Sequence, residues 1–103
     1  MNKSFDSAQN LWVINIDTDM DLYSVPKLKE LMLGCINEHK ANFKLDCTNM
    51  DYIDSTGLGV LVSINKHIKV YDGVVTIIGL KDHIKKIFTI TGLDTVFNIV
   101  SEG

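Results

Sequence analysis

Apolar positions along the chain alternate between two spacings, one of two residues and one near 3.6. Lys3 to Ser7 has room for a short edge strand, and Ala8-Gln9-Asn10 reads as a turn. Leu11 to Asp17 then predicts a strand with apolar residues on both faces: Leu11 and Val13 on one, Trp12, Ile14 and Ile16 on the other. Helical spacing takes over at Leu28, Leu31, Met32, Cys35, Ile36 and His39. Ser24 is placed as the N-cap of that helix, Pro26 falls in its first turn, and the pattern runs to about His39. Phe43 to Cys47 predicts a strand and Thr48 to Asp54 a loop. A second helix follows from about Ser55 to Tyr71, one face marked by Leu58, Leu61, Val62, Asn65 and Ile68. Asp72-Gly73 is a turn, and the β-branched run Val74 to Gly79 predicts a well-buried strand. Ile84, Ile87, Phe88 and Thr91 mark a short third helix, with Gly92 suited to the left-handed residue after it. Val96 to Val100 can form a last strand.

The order is therefore β-β-α-β-α-β-α-β. Strands alternating with helices imply right-handed crossovers and a mixed, mostly parallel α/β sheet of about five strands. Nothing in the chain reads as a repeat or linker, so residues 1–103 are expected to form one domain.

Composition narrows the function classes. Ten basic residues, all lysine, stand against thirteen acids, a net charge of −3. A nucleic-acid partner needs a basic face and is not expected. No apolar run approaches a membrane span, and the first six residues lack the apolar centre of a signal peptide, so a cytoplasmic protein is expected. Cys35 and Cys47 lie in apolar patterns with no second ligand at zinc spacing; they read as buried reduced thiols, with no metal and no cofactor.

The segment Asp54-Ser55-Thr56-Gly57-Leu58-Gly59 opens the second helix. Taken alone, a hydroxyl there is most often an N-cap, and its loss costs about 1 kcal/mol. An aspartic-protease motif would have one hydroxyl residue between Asp and Gly; here there are two. His39, His67 and His83 carry no signature tying a base to Ser55, so catalysis is not expected. A small hydrolase built on Ser55 would have to react with a serine-directed acylating probe. Gly57 and Gly59 lack the spacing of a phosphate-cradling loop. Each nevertheless costs up to about 1 kcal/mol within a helix, which points to a close approach there by a neighbouring strand or a partner. Leu58, Leu61 and Val62 read as core, whereas Ser63, Asn65, Lys66 and Lys69 read as the exposed side of the helix.

The stretches "MDYIDSTGLGVL", "VYDGVVTIIGL", "IKKIFTITGLDTVFNI" and "MDLYSVPKLKELM" together resemble a STAS domain of the anti-sigma factor antagonist type, from about Leu11 to Ile99. The resemblance implies a bacterial switch protein that binds an anti-sigma factor when unphosphorylated and so releases a sigma factor. It also implies that the anti-sigma factor is a serine kinase acting on Ser55 and that a phosphatase reverses the mark. Asp21 matches a family position close to that serine and the partner surface. Asp54, Thr56, Gly57, Leu58 and Gly59 fall in the same motif and would share the partner-binding surface, with Thr56 a secondary acceptor. The alternative it leaves is a non-catalytic STAS scaffold or small-ligand sensor in which Ser55 only caps the helix. Thr18 stands where the family often has glycine, Asp72-Gly73 where it often has two glycines, and a further C-terminal helix common in the family is expected to be trimmed or missing.

Overall fold

A computed structural model describes residues 1–37 and 40–100. The strands are β1 (Asn2–Asp6), β2 (Leu11–Asn15), β3 (Phe43–Asp46), β4 (Val75–Ile78) and β5 (Asn98–Val100). The helices are α1 (Val25–Leu33), α2 (Ser55–Lys69) and α3 (Asp82–Ile90), with one 3₁₀ turn at Leu93–Thr95 that the sequence pattern did not predict.

The strands lie side by side in sequence order, β1 antiparallel to β2 and the other neighbours parallel. Each crossover steps one strand in the same direction. Right-handed crossovers then bring α1, α2 and α3 onto one face of the sheet. The register agrees. Ile14, Leu45, Ile77 and Ile99 share one row. The first three are fully buried, and Ile99 is packed against the core. The next row, Ser4, Val13, Lys44, Thr76 and Asn98, lies on the other face and is mostly polar. A row with one apolar member, Val13, suits a face turned to water, while the aliphatic row contributes about 1.5–3 kcal/mol per buried side chain.

One predicted boundary moves by several residues. The first helix stops at Leu33 rather than near His39. Its helical spacing continues because Cys35 still points into the core, 4% exposed, although the backbone has left the helix at Gly34. His39 itself lies outside the described residues. Ser24 does hold the N-cap position, but its hydroxyl caps nothing; its backbone is already helical (φ −92, ψ −24) and the side chain turns to the preceding loop. Gly92 adopts the left-handed conformation expected of it, φ +76. Cys35 and Cys47 are buried and free, and no helix among the described residues is long and apolar enough to cross a membrane.

Candidate functional site

The parallel strands β2 and β3 end at one pole, and the loops that follow them meet there. Met20 and Ile53 form an isolated parallel bridge. The Met20 amide donates to the Tyr52 carbonyl, and the Asp54 amide donates to the Met20 carbonyl, both at 3.0 Å. This pairing fixes where α2 begins. Met20 and Ile53 are buried at 0% and 3% exposure, so the bridge is also an apolar contact.

Asp54, in extended conformation (φ −101, ψ −177), is the N-cap of α2, and its Oδ1 accepts from the Gly57 amide at 2.9 Å. This corrects the reading of Ser55 as the cap. Ser55 is the first residue of the helix proper, and both it and Thr56 are exposed. Among the described residues their amides have no acceptor. The mouth of α2 therefore presents a free hydroxyl beside free N–H groups at the positive end of a fifteen-residue helix. Lys66, His67 and Lys69 in its last turn complement the negative end.

The two glycines of the motif separate. A Cβ on Gly57 would lie 2.7 Å from Ile53 Cγ1 and 2.9 Å from the Met20 carbonyl oxygen, so the close approach there is made by this chain's own loop. A Cβ on Gly59 would meet nothing within 4 Å. Leu58 is half-buried against the core, as is Val62, while Leu61 is buried. Asn65 is not on the exposed side as expected: it is 8% exposed, and its Oδ1 finds no hydrogen-bond partner among the described residues.

Asp21 stands next to the bridge and is occupied locally. Its Oδ1 accepts from the Tyr23 amide at 2.9 Å and the Ser24 amide at 3.1 Å. The Ser24 hydroxyl accepts from the Asp21 amide at 3.0 Å and donates to the Asp19 carbonyl. These bonds, led by that from the Ser24 amide, hold the Asp21 carboxyl below its ordinary value of 3.8. The signal for this turn was present in Asp-Leu-Tyr-Ser, an Asp followed by a hydroxyl three residues on.

A third loop closes the pole. The Asp51 amide donates to Asp19 Oδ1 at 3.1 Å, its carbonyl meets His83 Nε2 at 2.7 Å, and its carboxylate pairs with Lys81. Lys81 holds the Asp51 carboxyl low. Asp51 and Lys81 are not singled out by the sequence, and His83 is weighed there only as a base for Ser55, because the residues they join are about thirty positions apart. The described residues contain no group of three or more His, Cys, Asp or Glu arranged to hold a metal ion.

The STAS domain family matches residues 2–102. The chain belongs to that family, among its anti-sigma factor antagonists. The STAS chain is 31% identical over 94 residues to the anti-sigma-B factor antagonist of Staphylococcus epidermidis, spanning 91% of this chain and 86% of that protein. It is 29% identical over 103 residues to the anti-sigma-B factor antagonist of Staphylococcus aureus strain COL, spanning 100% of this chain and 94% of the relative. Its fold matches a Thermotoga maritima protein crystallised as a candidate anti-sigma factor antagonist, with TM-score 0.88 and 17% identity over 99% of this chain and 86% of the other. It also matches the Bacillus cell fate determinant SpoIIAA in its phosphorylated form, with TM-score 0.74 and 13% identity over 99% and 92%.

Proposed function

We propose that this STAS domain is an anti-sigma factor antagonist switched at Ser55. Unphosphorylated, it binds an anti-sigma factor and frees a sigma factor; the same partner, acting as a serine kinase, phosphorylates Ser55 and ends the complex, and a phosphatase restores it. The observation that carries this reading is the placement of Ser55: exposed, uncommitted as a cap, and at the open mouth of α2 beside the Asp21 turn.

A phosphoryl group there would carry about −1.5 to −2 charges at neutral pH. The free amides of Ser55 and Thr56 and the helix dipole can hold it without unfolding the domain. No arginine exists to clamp it from within. Its effect falls on the partner surface, where it joins the carboxylates of Asp19, Asp21 and Asp54. Moving binding from nearly complete to nearly absent takes about 5.5 kcal/mol of differential affinity, a scale that desolvating an unpaired multiple charge supplies. SpoIIAA has been solved with and without phosphorylation, and the chain shares the fold of both forms, TM-scores 0.74 and 0.76. The strand order never reverses, so the fold offers no topological switch point of the kind that holds small ligands at a strand pole; this disfavours a small-ligand sensor.

The test is incubation with ATP and the anti-sigma factors of the native cytosol, read by intact mass and by complex formation. Wild type should gain one phosphate and lose the complex. Ser55→Ala should gain none and stay bound. Phosphate on Thr56 in Ser55→Ala would move the assignment, and no phosphate on either chain would leave the protein a binding scaffold.

A further inference from the structure

The Asp21 turn displays two large apolar side chains to solvent. Tyr23 is 89% exposed and Leu22 64%, the former among the most exposed apolar residues of the chain. Tyr52, 53% exposed, stands on the opposite partner of the Met20–Ile53 bridge. A loop that was merely loose would not need such fixing. The Asp21 carboxylate accepts from Tyr23 and Ser24, the Ser24 hydroxyl ties back to Asp19 and Asp21, and Met20 is locked to Tyr52 and Asp54. A rigid backbone presenting tyrosine and leucine costs a partner little ordering entropy, which is how interface hot spots are built.

We propose that Leu22 and Tyr23 are the apolar anchor by which this protein seats its anti-sigma factor, and that Asp21 is a positioning residue that acts through Tyr23 by fixing the turn. This rests on the reading of Ser55 above and adds the chemistry of the surface. The occupant is a protein face with an apolar pocket for Tyr23, rimmed by lysine or arginine. The rim follows from charge: Asp19, Asp21, Asp51 and Asp54 surround the turn, and of the cations beside them Lys81 is already paired with Asp51. Exposed Gly59, with open space where its Cβ would be, lets the same face come down onto α2 beside Ser55.

The experiment titrates unphosphorylated variants against the anti-sigma factor that phosphorylates the wild-type chain. Tyr23→Ala should weaken binding by about thirtyfold or more, and Leu22→Ala by less. Ile90→Ala, equally exposed on α3 at 84%, should change nothing. Asp21→Ala should fall as far as Tyr23→Ala, add nothing in the double variant, and be largely rescued by Asp21→Asn, which can still accept from both amides. Leu22, Tyr23 and Ile90 are exposed, so their variants should keep the wild-type urea midpoint; Asp21 is half-buried, and a lowered but cooperative urea transition confirms that its variants still fold. Tyr23→Ala within about threefold of wild type, with wild type still bound and still released on phosphorylation, overturns the anchor alone. Asp21→Asn as weak as Asp21→Ala overturns the positioning role. A wild-type chain that neither binds nor is phosphorylated overturns the Ser55 reading and the anchor with it.

Discussion

The carbonyl oxygen of Met20 lies 2.9 Å from where a Cβ on Gly57 would sit, so the loop after β2 rests directly on the first turn of α2. Only glycine allows that contact, and it brings the Asp21 turn and Ser55 to one surface.

Gly57→Ala must push aside backbone, not a flexible side-chain tip, and is expected to destabilise the fold by about 1–3 kcal/mol. Gly59→Ala meets nothing and should instead stabilise it by up to about 1 kcal/mol through helix propensity. Urea denaturation of the pair gives opposite shifts in midpoint. If both shift downwards, the open space at Gly59 is misjudged.

The assignment of the cap separates Asp54 from its neighbour. Asp54→Ala should cost about 1 kcal/mol and Asp54→Asn far less, since asparagine can still accept from the Gly57 amide. Ser55→Ala should stay within about 0.5 kcal/mol of wild type. Thermal unfolding of the three variants checks this, and a large loss in Ser55→Ala would return the cap to Ser55.

Acid titration should find the Asp21 and Asp51 carboxyls below the ordinary 3.8. Their folded values are depressed, so the stability they contribute is present above about pH 4 and is lost as pH falls through those lower values. Lys81→Gln should return Asp51 towards 3.8 and leave Asp21 where it is, because Asp21 is held by the amides of Ser24 and Tyr23. Side-chain NMR at a series of pH values reads both, and added salt should weaken only the Asp51 effect.

Burial, with a smaller contribution from the charge of Asp46, pushes the Cys47 thiol up from 9.0 to about 12. The folded value is raised, so this contribution is intact below pH 9 and is lost as pH climbs from there to about 12, at up to about 1.4 kcal/mol per pH unit. Iodoacetamide at pH 8 should leave the native thiol unlabelled and label it on unfolding. Fast alkylation of Cys47 in the native protein would contradict its burial.

Local pattern carried the elements, and long-range pairing carried the site. The β-branched run before Gly79 and the spacing of Ile84 and Phe88 are legible because each depends on its own neighbours. The cap is not: Asp54 and Ser55 are both good N-cap residues, and the choice is made by the Met20–Ile53 bridge, thirty-three positions apart in sequence. Asn65 falls by periodicity on the face of Leu61 and Ile68 but by chemistry on the exposed side, and its burial shows the periodicity to be the better guide. Ser55, Asp21 and the close approach at Gly57 were visible in the motif. The anchor residues Leu22 and Tyr23 were not, since a loop has no period to show which side chains face outward.

Because β2, β3 and β4 run parallel and each is followed by a helix, α1, α2 and α3 begin at one end of the sheet. Three macrodipoles of about half a positive charge each converge on that end. They offset the crowd of aspartates there and leave the domain electrically polar along its helices. An anion placed on Ser55 would thus meet a background prepared to receive it.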